Sequence, residues 1–364
     1  MIVEFMLADS DFAFGKSISR AIHCTRPRTV GVLLLAAFMG FNACWAAGNG
    51  AKVTEQQQPP SKSAPGNRGI IPKGVRTEWD IQYVPGGDES QRLDLYLPER
   101  ASDKPLPIIV WIHGGGWNSG GKAGCPPVRM VTNGYAAASV EYRFSQKAIF
   151  PAQIQDCQAA IRWLRANSKK YNIDPDRIGV WGGSAGGHLA ALLGTSGGKK
   201  AFAPVGGNED QSDRVNAVCE FFGPTDFNSV MHQAANDKTT KNIFNFNTPS
   251  DPYSCLIGAH LGEDKQKGDA VSPVHYVSSD NPPILILHGT RDALVPIAQS
   301  EEFAAALKEK GVNVLLQRLP GSGHGGPMFN RPAVNNLINA FFDKHLKNTD
   351  TLIELVPEAD LAVK

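Results

Sequence analysis

One serine lies at the centre of the stretch Val180-Trp181-Gly182-Gly183-Ser184-Ala185-Gly186-Gly187-His188. In the G-x-S-x-G arrangement the serine occupies a strained turn between a strand and a helix, and the flanking glycines leave room for the neighbouring backbone. An apolar run at 177–181 precedes the serine, and a helical pattern runs from 185 to about 193, where Gly194 is expected to end it. This context predicts that Ser184 is an exposed nucleophile.

A second glycine-rich turn, His113-Gly114-Gly115-Gly116-Trp117, directly follows the apolar run 107–112. Backbone N–H groups in such a turn can converge on an oxyanion because no side chain obstructs them, and they are effective when they are oriented before the charge develops. The turn therefore predicts an oxyanion-binding loop at the end of a central strand.

A serine hydroxyl needs a base, and the base needs a group that orients it. Asp292 lies in the loop after the apolar run 283–287, and His324 lies in a glycine-rich loop after the predicted strand 312–319. The order serine, aspartate, histidine, with both partners at strand ends, is that of an acyl-transfer triad. We therefore predict Ser184 as nucleophile, His324 as general base and Asp292 as the orienting acid.

Other acids and histidines near these motifs are alternatives. Asp226 also follows a predicted strand and could orient the base, although the capping of a turn is the favoured role. Structural roles are expected for three histidines: packing or site lining for His188, a strand end for His288, and support of the glycine loop for His113. Asp156 and Arg143 could support the site from below or lie on the surface.

Strands and helices alternate from residue 75 onward. Strands at 77–84 and 92–97 are predicted to pair as an antiparallel start, and later strands at 107–112, 135–142, 177–181, 215–222, 283–287 and 312–319 alternate with helices at 152–166, 297–310 and 332–346. Such alternation favours an α/β fold, with a mostly parallel central sheet that carries helices on both faces. This order places the predicted triad at the carboxyl ends of strands.

The catalytic domain is predicted at 75–350, with an insertion near 227–281 and a C-terminal tail at 351–364. The insertion is rich in Asn, Asp, Gly and Pro and shows no strong period. Insertions of this length between sheet strands commonly carry function. We expect this one to shape the substrate mouth.

The N-terminal segment is predicted to lie outside the fold. Arg26 and Arg28 precede an apolar run at 30–41 and small residues at 43–47, the order of a secretory signal. We predict a signal peptide at 1–47 and a flexible linker at 48–74, hence a secreted or periplasmic protein without stable membrane insertion after signal removal. A membrane anchor, a misassigned start and lipid attachment at Cys44 are the alternatives.

Composition excludes several classes of function. Of 364 residues, 42% are hydrophobic, enough for a large core, and 36 basic side chains nearly balance 35 acidic ones. That balance gives no basic excess that would attract nucleic acid. No cysteine–histidine cluster indicates zinc, and we expect no metal or cofactor. Cys125, Cys157, Cys219 and Cys255 allow three disulfide pairings, and a buried free thiol is an alternative for Cys219.

These motifs resemble those of the α/β-hydrolase esterase and lipase superfamily. The glycine loop, the serine stretch, Asp292 and His324 carry this resemblance. The upstream Arg92-Leu93-Asp94-Leu95-Tyr96-Leu97-Pro98 resembles the subgroup that includes the hormone-sensitive-lipase-like esterases and the bacterial feruloyl and acetyl-xylan esterase-like proteins. Gly183 departs from the aspartate of many hormone-sensitive-lipase-like members, which favours the carbohydrate-esterase branch. The resemblance implies an oxyanion hole formed by the N–H groups of Gly115, Gly116 and Ala185.

We therefore expect a secreted serine carboxylic-ester hydrolase that acts through an acyl-enzyme on short-acyl or carbohydrate-linked esters, with acetyl or feruloyl groups. Its partner would be a small-molecule or polysaccharide ester. The alternatives are a serine peptidase or lipase of the same fold, and a non-catalytic binding protein.

Overall fold

The structure is a computed structural model that describes residues 68–361, apart from positions 239, 245, 247 and 249. The predicted signal peptide at 1–47 and the predicted linker up to residue 67 lie outside the described residues. Within the described part, the central sheet has the strand order β1-β2-β4-β3-β5-β6-β7-β8. Its strands are β1 Val75–Gln82, β2 Arg92–Pro98, β3 Leu106–Ile112, β4 Ala136–Val140, β5 Ile173–Gly183, β6 Ala217–Phe221, β7 Ile284–Gly289 and β8 Val314–Leu319.

The sheet is mostly parallel. The pairs β1·β2 and β2·β4 are antiparallel, and the five pairs from β4·β3 to β7·β8 are parallel. This confirms the predicted antiparallel start followed by a parallel sheet. Because the parallel strands all run in one direction, the loops at their carboxyl ends meet along one edge.

Helices connect the strands. The longer ones are α1 Ala152–Ala166, α3 Ala185–Ser196, α7 Ile297–Glu309 and α8 Pro332–Leu346; the shorter ones are α2 Ser168–Tyr171, α4 Val230–Asn236, α5 Pro252–Ile257, α6 Lys265–Val271 and α9 Glu358–Leu361. Short 3-10 helices occupy Pro126–Asn133, Pro273–Tyr276 and Pro327–Asn330.

Alternate residues of the central strands enter two separate cores. Ile108 and Val110 of β3 pack in one core together with residues of α1, α3 and α7, whereas Ile109 packs in the other with residues of α8. Both faces of the sheet are therefore covered, as the continuous apolar run of this strand predicts.

Several predicted bounds differ from the structure by a few residues, and two of these lie in the elements that flank Ser184. Helix α3 does not end at Gly194 but continues to Ser196, because Gly194 is needed for close packing: a Cβ there would lie 2.7 Å from a methyl group of Val218. Strand β5 begins at Ile173 and not at residue 177 as predicted. The residues between these two positions fall in a shift of register between the pairs Leu106–Ile173 and Ile108–Ile178.

The insertion near 227–281 contains α4, α5, α6 and the 3-10 helix Pro273–Tyr276. The C-terminal segment also contacts the domain, because Val356 exchanges backbone hydrogen bonds with the Gln317 side chain and Leu361 is buried. Cys125, Cys157 and Cys219 are buried free thiols, and for Cys219 this is the alternative to a disulfide that the sequence offered.

Candidate active site

Ser184 lies in a sharp turn between β5 and α3. Its backbone has φ +57° and ψ −122°, a conformation that L-residues rarely adopt. The turn is held on both sides, because the Ser184 N–H donates to the Phe221 carbonyl at 2.8 Å and the Ser184 carbonyl accepts from His188 N–H at 2.9 Å. The strained turn presents the serine hydroxyl at the carboxyl edge of the sheet, as in a nucleophile elbow.

The glycines of the serine stretch differ in how closely they are packed. A Cβ at Gly186 would lie 2.0 Å from the Ile112 carbonyl oxygen, and one at Gly182 would lie 2.1 Å from the Gly186 carbonyl oxygen. A Cβ at Gly183 would make only ordinary contacts at 3.6 Å. The first two positions therefore require glycine because backbone segments approach them, whereas Gly183 does not.

Three of the predicted site residues form a continuous hydrogen-bonded chain. His324 Nε2 lies 2.8 Å from Ser184 Oγ, and His324 Nδ1 lies 2.7 Å from Asp292 Oδ2. The imidazole therefore donates from Nδ1 to the carboxylate and accepts the serine proton at Nε2. In this tautomer His324 has the free lone pair that a general base needs.

Asp292 is buried and strongly hydrogen bonded. Burial alone would raise the pKa of its carboxyl group, but hydrogen bonds from His288 and His324 outweigh it and hold the pKa well below its usual range. The other carboxylate oxygen accepts from the N–H groups of Leu294 and Val295 at 2.8 and 2.9 Å. The carboxylate thus stays ionised and fixed in place.

His288 supports Asp292 from the end of β7. Its Nε2 lies 2.9 Å from the Val295 carbonyl and 3.3 Å from Asp292 Oδ2, and its Nδ1 accepts from the Ser300 hydroxyl at 2.7 Å. Both ring nitrogens are therefore occupied inside the protein, in keeping with the expected structural role.

Hydrogen bonds fix the carbonyl groups of Gly114 and Gly115, and with them the direction of the two amide N–H groups that the glycine loop was predicted to offer. His113 Nδ1 donates to the Gly114 carbonyl at 2.8 Å, and Ser119 donates to the Gly115 carbonyl from its N–H at 3.0 Å and its Oγ at 2.8 Å. In a trans peptide the N–H points opposite to the carbonyl. The N–H groups of Gly115 and Gly116 therefore face away from these partners.

The third predicted amide belongs to Ala185, the first residue of α3. The first N–H groups of a helix have no acceptor within the helix, and the helix dipole favours negative charge there. Ala185, Gly115, Gly116, Ser184 and His324 all border one cavity of about 250 Å³. The structure thus brings together all six predicted site residues.

The rest of the cavity wall is largely apolar. It comes from the end of the glycine loop, the loop after β6, the insertion and the loop after Asp292: Trp117, Pro224, Phe244, Pro252, Tyr253, Leu294 and Val295. Residues of the insertion therefore lie beside the serine, where the sequence predicts a substrate mouth. Such a wall suits an apolar group of limited size.

The other candidates have structural contacts. Asp226 Oδ1 accepts from Asn228 N–H at 2.8 Å in a capped turn, whereas the carboxylate that His324 contacts is that of Asp292. Asp156 is fully buried and holds the Arg143 guanidinium through two oxygens at 2.7 and 2.8 Å, which joins α1 to the segment after β4. This pair is an internal support, one of the two roles considered for it.

Glu220 of β6 also lies at this site, although no sequence motif predicted it. The side chain is fully buried beneath the serine turn, where Oε1 accepts from Gly223 N–H, and Oε2 has no hydrogen-bond partner within the described residues. Burial raises the pKa of this carboxyl group to about 8, and the negative charge of Asp292 adds to the effect. The available signal was a charged residue inside the otherwise apolar run 217–221.

The described residues contain neither a candidate metal cluster nor a candidate membrane-spanning helix. No group of three or more His, Cys, Asp or Glu side chains in this part of the chain could hold a metal ion. No helix among the described residues has the length and apolar character needed to span a membrane.

Comparison with known proteins agrees with the geometry. The family model BD-FAE matches residues 93–307, which is more than half of the chain. Esterase LipQ of Mycobacterium tuberculosis is 34% identical over 67% of this chain, and the match spans 56% of LipQ itself, so the chain covers just over half the length of this relative.

Solved structures show the same fold. A truncated carbohydrate esterase from gut microbiota is 32% identical, with a TM-score of 0.68 over 75% of this chain and 96% of its own. An acetyl ester-xyloside bifunctional hydrolase from Caldicellulosiruptor lactoaceticus is 30% identical, with a TM-score of 0.52 over 77% of this chain and 95% of its own. This protein therefore belongs to the BD-FAE family and has the α/β-hydrolase fold of the esterases that it resembles.

Proposed function

We propose that this protein is a serine carboxylic-ester hydrolase that acts through an acyl-enzyme. The observation that carries the proposal is the hydrogen-bonded chain from Ser184 through His324 to Asp292, with distances of 2.8 and 2.7 Å, at the wall of an apolar cavity. Family membership and the names of the relatives support ester hydrolysis.

The first half of the reaction forms the acyl-enzyme. Ser184 Oγ attacks the ester carbonyl carbon while His324 Nε2 takes the hydroxyl proton, and Asp292 stabilises the imidazolium that forms. The carbonyl oxygen becomes an oxyanion and accepts from the amides of Gly115, Gly116 and Ala185. Collapse of this intermediate breaks the bond to the alcohol oxygen, and His324 returns the proton to the departing alcohol.

The second half repeats these steps with water. His324 removes a proton from water, the resulting hydroxyl attacks the acyl carbon, and collapse breaks the bond to Ser184 Oγ. The serine recovers its proton from His324 and the carboxylic acid leaves. The reaction needs no cofactor, because the nucleophile, the base and the oxyanion donors all belong to the chain.

The cavity and the names of the relatives support a proposal for the substrate class. A volume of about 250 Å³ between Phe244, Tyr253 and Leu294 fits a short acyl or single aryl group better than a long fatty chain. Two similar structures are named as a carbohydrate esterase and an acetyl ester-xyloside hydrolase. We propose short-acyl or carbohydrate-linked esters, with acetyl or feruloyl groups, as substrates.

The proposed location is secreted or periplasmic. This proposal depends on the signal-like sequence at 1–47. Sequencing the N-terminus of the protein recovered from the exported fraction would test it. A mature chain that begins after the small residues at 43–47 is expected, and full-length protein retained in the cytoplasm would contradict it.

Replacement of the nucleophile tests the mechanism. Ser184→Ala is expected to lower kcat on a short-acyl aryl ester by roughly 10⁴-fold or more and to abolish labelling by a fluorophosphonate probe. Ser196→Ala is a matched control, because it removes a hydroxyl from the other end of α3, where Ser196 Oγ donates to the Leu192 carbonyl.

Substrate panels then separate the candidate activities. Acetylated xylan, methyl ferulate and aryl esters of increasing acyl length should give highest activity on short or feruloyl esters. A profile that peaks at long chains would favour a lipase, and cleavage of peptides would favour a peptidase. Unchanged activity in Ser184→Ala would overturn the serine mechanism itself.

A further inference from the structure

Trp117 directly follows Gly116 and lies in an unusual environment for a loop residue. It is 2% exposed, and its φ of +57° lies in the left-handed region that residues other than glycine rarely occupy. Such a conformation is strained and persists only where the surroundings impose it. The contacts of the indole ring, together with the Ser145 N–H that donates to the Trp117 carbonyl at 2.8 Å, therefore place the end of the glycine loop.

One of these contacts is a buried hydrogen bond. The indole Nε1–H of Trp117 donates to His188 Nδ1 at 3.1 Å, and His188 Nε2–H donates to the Val271 carbonyl at 2.7 Å. Because an indole nitrogen can only donate, Nδ1 must be the acceptor and the imidazole proton must lie on Nε2. Burial lowers the pKa of His188 to about 4, so the ring is neutral and can accept at neutral pH.

Aromatic contacts surround the pair. The indole ring packs against His188, Phe227 and Tyr253, with centroid distances of 5.2, 5.6 and 5.4 Å. These rings fill the space around the indole but do not set its rotation as a directional hydrogen bond does. The bond to His188 is therefore the contact that orients Trp117.

The bond links parts of the site that belong to different elements. Trp117 ends the loop that carries the amides of Gly115 and Gly116, whereas His188 lies four residues after Ser184 on α3, the helix that begins with Ala185. An oxyanion hole works only when donors from both elements lie at hydrogen-bonding distance from one oxygen atom. A direct bond between loop and helix fixes that separation.

We propose that His188 is a positioning residue for the reaction: by accepting the indole N–H of Trp117, it holds the oxyanion loop at the working distance from α3. The proposal rests on the proposed ester hydrolysis and deepens it. His188 touches neither the substrate nor the reacting atoms.

A purely structural role for the pair gives a different result. Loss of packing alone would lower the thermal stability and leave the activity of the folded fraction unchanged. Displacement of the oxyanion donors weakens an interaction that exists mainly in the transition state, so it lowers kcat with little change in KM. It also weakens the binding of a trifluoromethyl ketone, whose carbonyl carbon bonds to Ser184 Oγ while its oxygen takes the negative charge.

The experiment uses the full chain and variants that separate the hydrogen bond from packing. Trp117→Phe keeps an aromatic ring and removes the N–H; His188→Leu removes the acceptor; His188→Asn can keep an acceptor at the δ position. Trp117→Phe and His188→Leu should lower kcat about tenfold or more, weaken ketone binding similarly and change KM less than threefold. His188→Asn should recover part of the loss.

Coupling between the two residues completes the test. The double variant Trp117→Phe/His188→Leu should be no slower than the slower single variant, because both changes break the same bond. If the kcat losses of the two single variants multiplied in the double variant, the proposal would be overturned. Wild-type kcat and ketone affinity in folded Trp117→Phe would overturn it as well. If His188→Leu does not fold, Trp117→Phe alone decides between these outcomes.

Wild type and Ser184→Ala are measured in the same assays. If ester hydrolysis depends on Ser184 but Trp117→Phe keeps the wild-type kcat and ketone affinity, only the role of His188 is overturned. A wild type without Ser184-dependent hydrolysis would instead overturn the proposed function, and the positioning role with it.

Discussion

Asp292 and Asp226 are acids of the same kind, each in a loop after a strand, yet their surroundings give them different roles. Asp292 is 3% exposed and accepts from His324 and from two backbone N–H groups, whereas Asp226 accepts from the N–H of Asn228 two residues away. An oxygen that orients a base must be aimed at it and kept ionised. Asp292 meets both conditions.

The first prediction compares two variants, in which one or the other of these aspartates is replaced by asparagine. Asp292→Asn keeps the shape of the side chain but can present an NH₂ group to His324 Nδ1, which favours the wrong tautomer, so kcat should fall by several orders of magnitude, about 10⁴-fold. Asp226→Asn keeps an oxygen acceptor for the Asn228 N–H and should stay within about threefold of wild type. The measurement is kcat on a short-acyl aryl ester at neutral pH.

A reversed order, with the larger loss in Asp226→Asn, would show that the acid has been misassigned. Circular dichroism of both variants verifies that the comparison is made between folded proteins.

At the scale of elements, the serine turn is shaped by the close approach of three backbone segments. The end of β3, the turn itself and the start of α3 meet where Gly186 lies, and a Cβ there would lie 2.0 Å from the Ile112 carbonyl oxygen and 2.6 Å from that of His113. Contacts this short cannot be relieved by a side-chain rotation, since both partners are backbone atoms. Either α3 or the oxyanion loop would have to move.

The second prediction follows from this packing. Gly186→Ala should separate the oxyanion loop from α3, lower kcat at least a hundredfold and lower the midpoint of thermal unfolding. Gly183→Ala is the matched control for stability, because its Cβ would make only ordinary contacts at 3.6 Å with Trp111 and Phe222. Differential scanning calorimetry and steady-state kinetics measure the two effects, and equal unfolding midpoints for the two variants would contradict the packing argument.

Sequence patterns predicted elements well where local chemistry decides their structure. Helices α1 and α8 have the predicted bounds, and each predicted strand exists within a few residues. The glycine turns, Asp292 and His324 were placed by their positions after strands. Errors arose where tertiary contacts decide, as at Gly194, which signals a helix end in isolation but lies inside α3 because Val218 packs against it.

The site shows the same division between local and tertiary information. The residues with catalytic chemistry could be recognised by type and spacing, whereas the partner of Trp117 and the burial of Glu220 depend on contacts between segments that are distant in sequence. The insertion near 227–281 carries little periodicity, so its short helices and the contribution of Phe244 and Tyr253 to the cavity wall could not be read from a pattern.

At the scale of the whole molecule, the buried acid Glu220 connects the catalytic edge of the sheet to the stability of the fold. Burial raises the pKa of Glu220 to about 8, and the nearby Asp292 charge opposes its ionisation further. Asp292 must stay ionised for the proposed reaction, so a neutral Glu220 lets one buried negative charge exist at the site rather than two.

The last prediction is a pH dependence of stability. The folded-state pKa of Glu220, about 8, exceeds the ordinary glutamate pKa of 4.5, so between these pH values the unfolded chain has lost the proton that the folded protein keeps. The contribution of Glu220 is therefore neutral below pH 4.5, becomes increasingly unfavourable as the pH rises, and reaches its full cost above pH 8. Over this window the cost is on the order of a few kcal/mol.

Glu220→Gln removes the ionisable group at this position and keeps an oxygen acceptor for the Gly223 N–H. Denaturant unfolding at pH 5 and pH 8.5 should show that the wild type loses more free energy of unfolding over this interval than Glu220→Gln does. Glu354→Gln, at an exposed position, is the matched control and should keep the wild-type slope. If Glu220→Gln and the wild type lost stability equally, Glu220 would have to be ionised in the folded protein at neutral pH, and the site would contain two buried carboxylates.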